Sequence, residues 1–177
     1  MDVRVTFRVA TGLLALMIVC PTWAQEQRLI DFSLKDQFNR VHTADDYKGV
    51  VVLVGSGRKG SQFNGTWSKA IWDGLDGHPY RDRVRIVGFA DLRGVPFFIK
   101  GTVRKKFPKD KKAWVLLDWK GLFSKTYGYE PDNSNISVFG LDRRLVFQTW
   151  GRELEEAKVD SIVKAIRKQL PESENGY

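Results

Sequence analysis

Residues 50–54 (Val50, Val51, Val52, Leu53, Val54) form an unbroken β-branched and leucine block. Such a block needs cover on both faces, which predicts a central strand. A glycine-rich turn follows. Phe63, Trp67, Ala70, Ile71 and Leu75 then recur three and four residues apart, the helical spacing, until Gly74, Gly77 and Pro79 end the pattern. A second strand is predicted over 84–90, closing at Asp91. Pro96 suits the first turn of another helix, with Phe97, Phe98 and Val103 apolar, Lys100, Arg104 and Lys105 polar, and Pro108 as its stop. Further strands are predicted over 114–117, 136–141 and 144–149, the last two joined by a tight turn at Asp142-Arg143, and one or two helical turns over 122–127. Residues 153–169 carry the clearest helix. Val159, Ile162, Val163, Ile166 and Leu170 line one face, with Glu153, Glu155 and Glu156 at the start and Lys164, Arg167 and Lys168 near the end, as the helix dipole favours. Upstream, residues 31–34 and 41–43 read as a small hairpin, and Asp45-Asp46 as helix-start charges. Strands alternating with helices, then a hairpin and a last helix, predict an α/β domain with a mixed central sheet covered on both faces.

The first 24 residues stand apart. Arg4 and Arg8 precede an uncharged, mostly apolar stretch of ten residues from Ala10 to Val19, and Thr22 and Ala24 place small residues before a cleavage point. That layout predicts a secretory signal peptide over 1–24. At ~1.5 Å per residue the stretch is too short for a ~30 Å hydrocarbon core, and no later segment is long and apolar enough to span. The expected organisation is a leader, one domain over 25–171 and a polar tail over 172–177, located in the periplasm or secreted. The single cysteine, Cys20, lies in the leader. As a lipid acceptor it has Val19 where a small residue is wanted. Cleavage after Ala24 leaves no thiol, which removes disulfides, cysteine-ligated metals and thiol catalysis together.

Gly55-Ser56-Gly57-Arg58-Lys59-Gly60 matches the G-x-G-x-x-G pattern of dinucleotide sites, between a buried strand and a helix. Asp91 ends the next strand, but lies farther from the turn than the usual ~20 residues for a ribose-binding acid. The second half of the chain supplies a hairpin rather than another mononucleotide unit, and export separates the chain from cytosolic NAD. The dull reading is a flexible strand-to-helix turn. Its N–H groups, with Arg58, Lys59 and Ser61, also suit a small anion.

Lys+Arg number 29 against 21 Asp+Glu, a formal net charge of +8. Much of the excess sits in one run: Lys100, Arg104, Lys105, Lys106, Lys109, Lys111 and Lys112, with Asp110 the one acid among them. It reads first as a solvated face and second as an anionic-surface contact. Phe97, Phe98, Phe107 and Trp114 nearby are expected in the core. Export argues against nucleic acid. His42 and His78 are isolated in sequence and form no metal-ligand motif; no metal or cofactor is expected.

The ordered set of segments resembles the redoxins. Phe32-Ser33-Leu34-Lys35-Asp36-Gln37-Phe38-Asn39-Arg40-Val41-His42 is similar to their opening hairpin. Trp114-Val115-Leu116-Leu117-Asp118 through Lys125-Thr126-Tyr127-Gly128 is similar to their strand-D-x-x-G-helix-Y-G segment, and Phe139 to Val146 to their late hairpin. In layout the chain resembles the periplasmic, cysteine-less YtfJ family. The resemblance implies a thioredoxin-like, redoxin-type three-layer sandwich. It also implies catalytic cysteines at about Gly60 and Phe63 and a cis-proline packed against them. Neither is present: Asn135-Ile136-Ser137 stands where the proline belongs, and Pro131 comes too early. The resulting expectation is an exported, non-catalytic binding or accessory module for a partner protein or anionic surface, with Ser56, Gly57, Arg58, Lys59, Gly60 and Ser61 as its contact loop. The alternatives are an anion- or nucleotide-binding protein using that turn, and a regulator within a thiol-redox system.

Overall fold

The computed structural model describes residues 26–57 and 59–171. The predicted leader with Cys20, the predicted tail and Arg58 lie outside the described residues. Strands β1 (Ser33–Lys35) and β2 (Val41–Thr43) form the antiparallel N-terminal hairpin. Strand β3 (Val50–Ser56) leads through a 3-10 turn to helix α1 (Asn64–Asp73), then to β4 (Val84–Asp91), helix α2 (Lys100–Arg104), β5 (Leu116–Asp118) and helix α3 (Leu122–Tyr127). The chain closes with β6 (Ser134–Phe139), β7 (Leu145–Gly151) and helix α4 (Glu156–Arg167).

Five strands make one mixed sheet in the order β5-β4-β3-β6-β7. The contacts of β3 with β4 and of β4 with β5 are parallel; those of β3 with β6 and of β6 with β7 are antiparallel. Period-two alternation divides β3 between two cores. Val50, Val52 and Val54 join Trp67 and Ile71 of α1, Ile162 and Ile166 of α4, and Ile136 and Val138 of β6. Val51 and Leu53 face the other way, toward Phe89, Leu116, Phe123, Tyr127 and Phe139, with Phe32 capping that side. Each fully buried aliphatic or aromatic side chain contributes about 1.5–3 kcal/mol, so burial on both faces makes β3 the keel of the domain.

Several boundaries differ from expectation. Helix α4 begins at Glu156 because Glu155 is extended (φ −120°, ψ 113°), so Glu153 lies outside it. Pro96 starts only a single 3-10 turn, Phe97–Ile99, before five helical residues, which end well short of Pro108. Phe97 and Phe98 are 83% and 74% exposed, not core. Trp114 precedes the strand, and packs half-buried at the edge of the core against the hairpin. The acidic pair Asp45-Asp46 does open a helical turn, where the Asp46 carboxylate accepts the Thr43 backbone N–H at 2.6 Å.

Candidate functional site

Because β3 and β4 are parallel and β6 runs against β3, the turn after β3 meets the loop that enters β6 at one sheet edge. Gly55 stands opposite Asn135 in the β3–β6 register. Residues 131–134 face Gly57 and Gly60, and Asn135 closes the segment, its Nδ2 donating to the Gly55 carbonyl at 3.4 Å. A side chain at Gly57 would place its Cβ 2.7 Å from the Pro131 carbonyl oxygen. At Gly60 it would lie 2.6 Å from the Asn133 carbonyl carbon and 2.9 Å from Ser56 Cβ. At Gly55 it would meet the Phe89 ring and carbonyl at 2.4 Å. These close approaches explain the three glycines of the G-x-G-x-x-G pattern. Every one of them sits where neighbouring backbone or ring leaves no room for Cβ, and a carbonyl oxygen, which repels anions, occupies the space beside each of the three. No peptide bond among the described residues is cis.

Among the described residues of the turn, Ser56 and Lys59 have side-chain partners. Asn64 Nδ2 donates to buried Ser56 Oγ at 3.0 Å, and Ser134 Oγ donates to Asn64 Oδ1 at 2.7 Å with the Gly60 carbonyl as a second acceptor at 3.3 Å. Asn135 fixes the facing loop. Its Oδ1 accepts the Glu130 N–H at 2.8 Å and its Nδ2 donates to the Glu130 and Asn133 carbonyls at 2.8 and 3.0 Å. Exposed Lys59 pairs with Asp132 across the gap at 3.1 Å. Of the sequence-predicted contact loop, Lys59 and Ser61 are exposed, Gly57 is half-buried, and Ser56 and Gly60 are buried. Asn64, Asp132, Ser134 and Asn135 complete the arrangement. No spacing rule in the sequence singles them out, because their contacts cross from one end of the chain's core to the other.

Asp91 is not a free ribose acceptor. Arg93 Nε donates to both its carboxylate oxygens at 3.0 and 2.8 Å. Burial pushes its pKa up, but hydrogen bonds from Ser124 and Arg93 outweigh that and hold it below the usual carboxylate range.

A second cluster joins the hairpin to the β4–β5 crossover and corrects the reading of His42 as isolated. Fully buried Asp36 accepts the Phe38 and Arg40 backbone N–H groups at 2.8 and 3.0 Å, Arg40 Nε at 2.6 Å and His42 Nε2 at 3.2 Å. A carboxylate only accepts, so His42 Nε2 carries the proton of that contact, and Nδ1 lies 2.9 Å from the Tyr47 hydroxyl. Trp114 stacks on the His42 ring with centroids 4.5 Å apart. The order Asp–His–hydroxyl matches a nucleophilic triad. The hydroxyl, however, is a phenol whose pKa burial drives upward, aided by the charges of Asp46 and Asp36, which keeps it a proton donor rather than an attacking anion. The arrangement is a clamp. Among the described residues no three His, Cys, Asp or Glu side chains gather as a metal-ligand set, and no helix is long and apolar enough to cross a membrane.

No protein-family model matches the chain, and no curated protein matches it in sequence. Solved structures do match in fold. The pneumococcal exposed lipoprotein thioredoxin Etrx1 from Streptococcus pneumoniae superposes with a TM-score of 0.57 at 16% identity, covering 78% of this chain and 99% of that one. A putative thiol:disulfide interchange protein DsbE from Chlorobium tepidum gives 0.56 at 15% identity, covering 81% and 96%. The peroxidoxin BcpB from Mycobacterium tuberculosis gives 0.55 at 18% identity, covering 82% and 97%. The fold is therefore thioredoxin-like.

Proposed function

We propose that this chain is an exported thioredoxin-fold protein that performs no thiol chemistry and acts as a binding or accessory module, in the manner its resemblance to the YtfJ family implies. The observation that carries the reading is the contact at Gly60. The position aligned with the first catalytic cysteine has backbone of the facing loop 2.6 Å from where its Cβ would stand. A thiol-dependent site needs a thiolate held open to its substrate at the helix start. Here that space is filled by protein, and the second aligned position, Phe63, packs into the core beside α1. The lone Cys20 sits 40 residues before Gly60 and has no second cysteine with which to form an intramolecular disulfide. Export removes it with residues 1–24, and the mature chain works in the periplasm or outside the cell.

The exposed residues of the turn, Lys59 and Ser61, with Asp132 of the facing loop, form the contact surface of this module. A carboxyl-edge turn lies where ligands collect in α/β sheets. A nucleotide site at the same turn is disfavoured by the carbonyls of Pro131 and Asn133 and by the occupied Asp91. The test is reduction of insulin by a dithiol with and without the full chain. The expected result is a rate equal to the uncatalysed one. Acceleration that grows with protein concentration contradicts the reading.

A further inference from the structure

We propose that the turn Phe97–Ile99, together with the basic run that follows it, docks the protein on an anionic phospholipid bilayer. Phe97 and Phe98 are adjacent, 83% and 74% exposed, and pack edge to face with centroids 5.7 Å apart and planes at 86°. Ile99 beside them is 37% exposed. The three make an apolar knob on a single 3-10 turn. The chain leaves β4 for this turn at the same sheet edge as residues 57–60, where the Leu92 N–H donates to the Asp118 carbonyl at 2.9 Å.

The basic run follows the knob directly in the chain and is held at several points by neighbouring elements. Lys100 lies over the Trp119 ring at 5.0 Å. Arg104 Nη1 donates to Asn39 Oδ1 at 2.6 Å. Gln37 Nε2 donates to the Pro108 and Ala113 carbonyls at 3.1 and 2.9 Å, and Arg40 Nη2 to the Lys111 carbonyl at 3.3 Å. The hairpin thus fixes the backbone that carries Lys105, Lys106, Lys109, Lys111 and Lys112. Among the described residues none of these five, nor Lys100 or Arg104, forms an ion pair with a carboxylate.

A bilayer fits this chemistry better than a protein or a nucleic acid. Side chains this exposed project outward instead of lining a groove, so they suit a deformable apolar medium rather than a preformed pocket. Six of the seven bases are lysines. Lysine is a point charge on a flexible stem, suited to a diffuse layer of phosphates, whereas bidentate recognition of one carboxylate or phosphate favours arginine. Apolar insertion flanked by lysine attraction is how interfacial elements hold to anionic lipid. The proposal goes beyond the thiol-free reading and does not depend on it: lipid binding is scored here and disulfide reduction there.

The experiment is co-sedimentation of the full chain with vesicles of phosphatidylcholine alone and of phosphatidylcholine with phosphatidylglycerol, at low and high salt. The expected result is binding to the anionic vesicles only, weakened by salt. The double variant Phe97→Ser/Phe98→Ser should bind about a hundredfold more weakly, since each inserted aromatic is worth about tenfold or more. It should unfold at the unchanged midpoint, because neither ring is buried. Lys105→Glu/Lys106→Glu should weaken binding at low salt and lose most of the salt dependence. Equal binding to both vesicle types, no binding to either, or full binding by the Phe97→Ser/Phe98→Ser variant overturns the proposal. So does equally tight capture by single-stranded DNA with the same dependence on the two phenylalanines, which would mark a stacking surface for nucleic acid.

Discussion

Replacing Asp36 with alanine is expected to lower the stability of the domain by about 3 kcal/mol, read as a shift in the urea midpoint at neutral pH. The carboxylate is fully buried, and two backbone N–H groups, the Arg40 guanidinium and His42 all donate to it. Removing an acceptor from buried donors costs about 1–3 kcal/mol for neutral groups and more for charged ones. Arg40 is nearly half exposed and regains water, which holds the total below the ~5 kcal/mol upper range for fully buried pairs. The loss should propagate, since His42 would lose the partner that orients it against Trp114 and Tyr47. Burial pushes the Asp36 pKa up, but hydrogen bonds from Arg40, His42 and Phe38 prevail and set it below its ordinary 3.8. The fold therefore binds protons at this group less readily than the unfolded chain does. Its contribution is complete above about pH 4 and is lost as the pH falls through the depressed folded value. The wild type should lose stability steeply in that acid window, and the Asp36→Ala variant less so.

Installing the missing dithiol should fail. The double variant Gly60→Cys/Phe63→Cys is expected to lose at least about 3 kcal/mol of stability and to gain no insulin-reducing activity. At Gly60 the added Cβ collides with backbone at Asn133, where no flexible side-chain tip can yield, and overpacking of this kind costs about 1–3 kcal/mol. At Phe63 a ring packed against the α1–α4 core is lost, and large-to-small changes at such sites cost about 3–5 kcal/mol when fully buried, less at this half-buried position. Urea unfolding measures the first effect and an insulin assay the second. Recovery of wild-type stability would mean that the facing loop retreats easily and that the turn is an emptied active site. A large loss means that the loop and turn are co-adapted to each other without sulfur.

The strands and main helices were legible because each depends on local pattern. The apolar block at Val50–Val54, the three-four spacing from Phe63 to Leu75 and the Val159–Ile166 stripe each bury where their periodicity says. The order of these pieces predicts a mixed sheet covered on both faces, and the resemblance of the ordered segments to the redoxins makes that sheet thioredoxin-like. Tertiary packing had the final say elsewhere. Phe97 and Phe98 look like core residues until the turn that carries them projects from the sheet edge. His42 looks solitary until the hairpin register brings it to Asp36 and the crossover brings Trp114. The glycines of the β3–α1 turn match a phosphate-binding pattern, yet the reason for Gly55 is the approach of Phe89 on the neighbouring strand, and for Gly57 and Gly60 that of Pro131 and Asn133 from more than seventy residues away. No single-chain spacing rule carries that information.

The most direct measurement is peroxide consumption by the full chain and by its Cys20→Ser variant, in the presence of a thiol reductant. Cys20 is the one sulfhydryl the chain possesses. Both proteins are expected to consume hydrogen peroxide no faster than buffer, with coinciding traces. Turnover by the wild type that disappears in Cys20→Ser would contradict this expectation, since the domain would then be working with the very sulfur that its turn has no place for.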